Sequence, residues 1–283
     1  MVAATRIALL QMTAGIDPAA NARTLSGAVE RAAGDGAAML FTPEMSGLVD
    51  RDRARAAHNV VAEAASPVLA AVREAAAKAG LWIALGSLAI DREDGRWANR
   101  SFLIAPDGAV AARYDKIHMF DVDLTSGESW RESSAYAPGE TVVTATTPLG
   151  RLGLAVCYDM RFPALFAALG DCGCDAIACP AAFTVPTGQA HWHLLLRARA
   201  VEASAWVIAA AQAGHHADGR ATYGHSLVVD PWGTVVLDLG PDGGPGGEGL
   251  VGFATIDPAR TAEVRAQLPS LANRREIHIS RAS

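Results

Sequence analysis

Leu154-Ala155-Val156-Cys157-Tyr158-Asp159-Met160-Arg161-Phe162-Pro163 is an apolar run that stops at a cysteine, with polar residues and a proline following at once. Residues 153–156 have the length and make-up of a short buried strand. Pro163 suits the first position of a helix, where its missing N–H costs nothing. Cys157 then falls on the tight connection between them, a thiol at the end of a sheet with backbone N–H groups beside it. That is nucleophile-elbow logic, with Cys in place of Ser. The opposing reading is a small core residue, since free cysteine is among the most buried residue types. The decapeptide alone leaves both open.

Two further apolar runs stop in the same way. Residues 37–44, AAMLFTPE, end at the carboxylate of Glu44, and residues 109–116, AVAARYDK, end at the ammonium of Lys116. In an α/β protein the carboxyl ends of neighbouring strands face one crevice. Singly, Glu44 reads equally as a solvated loop acid and Lys116 as a surface charge. Together with Cys157 they make a set of nucleophile, base and electrophile.

With these residues in place the chain resembles the carbon–nitrogen hydrolase (nitrilase) superfamily, whose catalytic residues are Glu, Lys and Cys in this chain order. The matching segments are FTPEM at 41–45, YDKIHMFDVD at 114–123, LAVCYDMRFP at 154–163, TGQAHWHLLLRARAVE at 187–202 and YGHSLVVDPWGTVV at 223–236. Within the superfamily, AAAQAGHH at 209–216 and VVDPWGTVV at 228–236 are similar to the branch of amidases acting on deaminated glutathione. The resemblance implies an α/β fold, a two-sheet α-β-β-α sandwich, and a homodimer stacked across a twofold axis. The helix around 194–202 is the candidate interface; its alternative is an exposed face with Arg197, Arg199 and Glu202 in water. The resemblance also implies catalytic roles for Glu44, Lys116 and Cys157, and a second glutamate at Glu132 that orients Lys116 and the substrate amide, with Glu128 as the register alternative.

The chemistry of amide hydrolysis gives each residue a task. A thiol is mostly neutral near pH 7 and the departing amine must be protonated. Glu44 would take the Cys157 proton, deliver it to the leaving nitrogen, then deprotonate water to cleave the thioester. Lys116 and the backbone N–H of Tyr158 would flank the developing oxyanion. No metal or organic cofactor is required. An acidic substrate needs a cation in the pocket, for which Arg161 is the leading candidate, against a local ion pair with Asp159. Phe183 and Thr187 are expected to line the pocket, and Asp121 and Asp123 to organise the loop after Lys116.

Composition narrows the alternatives. The chain has 283 residues, 51% hydrophobic and 19% charged, with a net charge of −6. That argues against disorder and against a nucleic-acid partner. The N-terminus lacks a basic segment followed by a long apolar one, so it reads as a first strand and not a signal peptide. The most apolar stretch, 164–183, is broken by Gly170, Asp171, Gly173, Asp175 and Pro180, which excludes a membrane span and makes the cytoplasm the default location. Cys172, Cys174 and Cys179 do not have the spacing of a structural zinc site, and His191 and His193 point to different faces of a helix. All four cysteines are expected to be free thiols.

Strand and helix signals alternate along the chain without a linker, so a single domain over 1–283 is expected. Strands are read at 6–11, 38–42, 82–88, 101–104, 109–114, 141–146, 153–156, 176–179, 206–211, 225–229, 234–239 and 249–256. Helices are read at 18–33, 66–79 with Ser66 as N-cap, 163–169, 189–203 and after Asp257-Pro258. Residues 117–138 read as a long active-site loop, 215–216 as loop, and 240–248, GPDGGPGGE, as a flexible one. The functional expectation is an amidase acting on a small carboxylate-bearing amide, deaminated glutathione foremost. The close alternatives are an ω-amidase acting on α-ketoglutaramate and an N-carbamoyl amidase. A thiol redox protein pairing Cys157 with Cys172 or Cys174 and a non-catalytic scaffold are the distant ones.

Overall fold

Residues 3–123, 127, 129–244 and 248–280 are described in a computed structural model of the chain. The layering follows from the first strand, Thr5–Gln11, which is apolar on both faces. Successive side chains of a strand point to opposite sides. Ala8 and Leu10 pack with Leu25 and Val29 of the helix Pro18–Gly34 and with Leu69 and Val72 of the helix Pro67–Ala79. Ile7 and Leu9 face the other way, into a core shared with Leu152, Leu154, Ile177 and Val207 of a second sheet. Beyond that sheet lie Phe166 of the helix Pro163–Asp171 and Trp192 and Leu196 of the helix Val185–Ala203. Helix, sheet, sheet and helix stack in that order, giving the expected two-sheet α-β-β-α sandwich.

The first sheet runs Leu250–Ile256, Thr5–Gln11, Met39–Phe41, Trp82–Asp91, Trp97–Ile104, Val110–Asp115, with Val61–Ala62 beside Trp82–Asp91. The second runs Val235–Asp238, Leu227–Val229, Trp206–Ala209, Ala176–Ala178, Gly150–Leu154, Thr144–Thr147. Local chemistry marks the helix starts. Asp17, Ser66 and Asp257 each accept a hydrogen bond from a backbone N–H of the first turn, ahead of a proline, where a polar cap is worth about 1 kcal/mol.

Four expectations change. The strands ending near Glu44, Lys116 and Cys157 are not neighbours: Trp82–Asp91 and Trp97–Ile104 separate the first two, and the third lies in the facing sheet. The long loop after Lys116 carries a small hairpin, Asp121–Asp123 with Ser129–Arg131, and His215 ends a strand paired with Ala221–Tyr223. These strands are three residues long, too short for a readable alternation. Arg199 is buried and not in water: its Nε donates to the Met160 carbonyl and its guanidinium lies 5.5 Å from the Phe166 ring centroid. Among the described residues no helix is long and apolar enough to cross a membrane.

Candidate active site

Cys157 opens a tight 3-10 turn, Cys157–Arg161, between the strand Gly150–Leu154 and the helix starting at Pro163. Its φ is +49°, a left-handed conformation that a residue with a Cβ adopts only under constraint. The constraint is visible. Cys157 N–H donates to the Pro180 carbonyl at 2.8 Å, and Asp159, fully buried, accepts from Val156 N at 2.9 Å and from the Tyr114 hydroxyl at 2.7 Å. Asp159 also lies 2.7 Å from Nδ1 of His118 and accepts from its backbone N–H at 3.0 Å. The elbow is thereby tied to the segment carrying Lys116. The first i→i−3 bond of the turn runs from Asp159 N to Val156 O, so the N–H of Tyr158 precedes the turn's own ladder.

Glu44 is placed by a close approach of two backbones. A Cβ at Gly86 would lie 2.1 Å from the Thr42 carbonyl oxygen, so only glycine admits the segment there. Thr42 Oγ1 accepts from Gly86 N, and Gln212 Nε2 donates to the Glu44 carbonyl at 3.0 Å. The Glu44 carboxylate then receives Lys116 Nζ at 2.9 Å and Asn99 Nδ2 at 2.9 Å on Oε1, and Ala182 N at 2.8 Å on Oε2. Glu132 closes the other side of the ammonium, with Lys116 Nζ at 3.1 Å and 2.9 Å from its two oxygens and Phe120 N at 2.6 Å. Asn99 Nδ2 also donates to Glu132 at 3.0 Å.

The electrostatics follow from this packing. Burial pushes the Glu44 carboxyl up, but the Lys116 charge and hydrogen bonds from Cys157, Lys116 and Asn99 outweigh it and hold the carboxyl below its ordinary value. Burial opposes the Lys116 ammonium, yet the Glu132 and Glu44 charges hold it well above its ordinary value. For Cys157, burial and the Glu44 charge push the thiol well up. The resting site is thus a neutral thiol in one cavity with an ionised carboxylate and a fixed ammonium. That arrangement suits proton transfer from sulfur to carboxylate during attack on an acyl carbon.

The three residues line one cavity of about 630 Å³. Glu132, Phe183 and Thr187 also line it; Glu128 lies outside the described residues. Arg161 is not on the wall. Its guanidinium stands 5.3 Å from the ring centroid of Phe183, and its terminal nitrogens lie 3.3 Å and 3.4 Å from His191 Nδ1. The alternative pairing with Asp159 does not form, because Asp159 is taken by Tyr114, Val156 and His118. Asp121 accepts from Ser133 N and Asp123 from Ser129 and Arg131, which braces the hairpin as expected. Asn99 and the wall arginines Arg51, Arg53, Arg131 and Arg220 were not singled out by the sequence. They sit in segments with no motif, and Asn99 falls inside an ordinary strand pattern.

One group among the described residues has ligand atoms close enough for a cation: His193, His225 and Asp238, within 4.8 Å of one another. Asp238 there already lies 3.0 Å from His193 Nε2 and 2.9 Å from His225 Nδ1. None of the three lines the cavity.

A two-sheet sandwich with a cysteine elbow, a buried carboxylate and an ammonium in one cavity defines a class of thiol-dependent hydrolases. Comparison with known proteins gives the particular family. The family model described as carbon-nitrogen hydrolase matches residues 6–266. Deaminated glutathione amidase of Yersinia enterocolitica is 42% identical over 233 residues, covering 81% of each chain. The human protein of that name is 39% identical over 274 residues, 95% of this chain and 82% of that one. The crystal structure of the Caenorhabditis elegans NitFhit protein superposes with a TM-score of 0.87 at 35% identity, covering 97% of this chain and 66% of that one. The chain belongs to the carbon–nitrogen hydrolase family and is a hydrolase of carbon–nitrogen bonds other than peptide bonds.

Proposed function

We propose that this amidase hydrolyses deaminated glutathione through a thioester on Cys157. The observation that carries the covalent route is Cys157, held in a left-handed elbow, lining one cavity with the buried Glu44–Lys116 pair. The substrate is supported by the relatives that bear that activity in their names. Glu44 accepts the thiol proton as sulfur attacks the amide carbon, and the C–S bond forms. The oxyanion is met by Lys116 Nζ and the Tyr158 N–H, each such donor being worth about 3–4 kcal/mol in comparable sites. Collapse expels the amine, protonated by Glu44. Glu44 then takes a proton from water, which attacks the thioester and frees Cys157. Glu132 and Asn99 hold Lys116 and Glu44 in register through both steps.

In this reading Phe183 and Thr187 shape the acyl end of the pocket. The protein's partner is a small-molecule amide. A homodimer is supported by Leu194, Val201 and Trp232, large apolar residues left exposed on and beside the helix Val185–Ala203. Four unbridged cysteines fit the cytoplasm. The deciding experiment is a competition between equal concentrations of deaminated glutathione and α-ketoglutaramate, followed by chromatography. Faster loss of deaminated glutathione supports the reading. Faster loss of α-ketoglutaramate assigns an ω-amidase, and loss of neither points to a different amide.

A further inference from the structure

The cavity carries more positive charge than its chemistry uses. Lys116 is matched by Glu44 and Glu132, and Arg131 pairs with Asp123 at 2.7 Å. Arg51 has no carboxylate partner among the described residues. Arg220 is held by the Asp218 carboxylate, a fully buried side chain, through Nε alone, at 2.7 Å, which leaves its outer nitrogens without an acidic partner among the described residues. Both guanidiniums lie over one indole: Arg51 5.9 Å and Arg220 5.0 Å from the Trp130 ring centroid. The Trp130 Nε1 is buried and makes no hydrogen bond. Asp50, the carboxylate next to Arg51 on the cavity wall, is engaged on both oxygens by Arg55 at 2.6 Å and 2.7 Å. Two cations near one aromatic ring, in a protein of net charge −6, form a site for a carboxylate. Guanidinium forks match carboxylate geometry, and stacking pre-sets their orientation.

The chain fixes where that site stands. Trp130 is two residues before Glu132, so their Cα atoms are at most about 7 Å apart. One short segment therefore sets Glu132 against the Lys116 ammonium and Trp130 under the two arginines. Arg161 and Phe183, on the far side of the nucleophile's turn in sequence, belong to different segments.

We propose that Arg51 and Arg220, seated on Trp130, form a carboxylate-binding subsite for the leaving-group end of the substrate, selecting amides whose departing amine carries its own carboxylate about five bonds beyond the scissile nitrogen. This rests on the amidase reading above. It makes the enzyme a hydrolase of acidic secondary amides, with primary amides the poorer class.

Three substrates sharing the α-ketoglutaryl group test it: the primary amide, the amide of cysteinylglycine, and the amide of cysteinylglycinamide. Wild type is expected to favour the acid tail over the carboxamide tail by about tenfold to a hundredfold in kcat/KM, the range for a charged hydrogen bond. Arg51→Gln, which breaks no ion pair, should collapse that ratio to within about threefold by raising KM with kcat held, the sign of lost uniform binding. Arg51→Lys should restore part of it. If wild type turns over none of the three, the amidase reading fails. If it turns them over with an acid-to-carboxamide ratio near one, or Arg51→Gln keeps the ratio, the subsite is wrong and the amidase reading stands. If Arg51→Gln raises KM equally for all three, the cations serve the acyl end and the subsite as proposed is overturned.

Discussion

Lys116 Nζ sits 2.9 Å from Glu44 Oε1, with the two side chains 2% and 6% exposed. A buried ion pair of this kind is weak evidence for stability, because desolvating two charges offsets much of their attraction. Its assembly from two distant segments, with Glu132 and Asn99 completing the bonding, is better explained by what it does to the neighbouring thiol.

Lys116→Met separates the two roles of the pair. It leaves Glu44 and Glu132 buried without their cation, which is expected to cost about 3–5 kcal/mol of stability. Cys157→Ala removes one sulfur atom at a strand end and should stay within about 1 kcal/mol of wild type. Chemical denaturation of both variants checks this. Equal destabilisation would mean that the network around Lys116 does not carry the charge balance described.

Glu44→Gln keeps the shape of the side chain but cannot shuttle a proton. Turnover is expected to fall by about 10²–10⁴-fold, with the fold retained, since Lys116 keeps Glu132. Steady-state kinetics on the best amide measure it. A variant within tenfold of wild type would remove Glu44 from the proton path.

The pH dependence has a definite sign. Glu44 is held below its ordinary value of 4.5, so its contribution is present above that value and is lost only as pH falls through the depressed one. Cys157 is raised well above 9.0, so a neutral thiol persists through the whole interval. Between these two values kcat/KM should be level. A steep rise between pH 7 and 9.0, tracking thiolate formation, would contradict a resting thiol activated by Glu44.

Much of this was legible in the chain. The decapeptide 154–163 gave the elbow because an apolar run, a cysteine and a helix-starting proline stand in immediate succession. Glu44 and Lys116 were readable as charges terminating apolar runs. The arrangement of their strands was not, because pairing across two sheets leaves no trace in a run of three residues such as Met39–Phe41. Arg161 was expected on the cavity wall from its distance along the chain, but a 3-10 turn carries it toward His191 instead. Asn99 was invisible for a different reason: a polar residue on a strand is ordinary until its partners, 55 and 33 residues away, are known.

Cys172→Ser and Cys174→Ser should leave activity near wild type. Burial pushes the Cys174 thiol up to about 12, so it is a poor thiolate and a poor resolving partner. Cys174 is also fully buried, and its serine variant is expected to lose stability more than rate. Loss of activity in either variant comparable to Cys157→Ala would favour a redox cycle over hydrolysis.

The most direct test is the intact mass of the protein during turnover of a slow α-keto amide. One adduct with the mass of the acyl group is expected, located on Cys157 by peptide mapping and absent from Cys157→Ala, which should be inactive. Normal turnover by Cys157→Ala, or an unmodified Cys157 throughout wild-type turnover with a slow deacylation step, would contradict the covalent route.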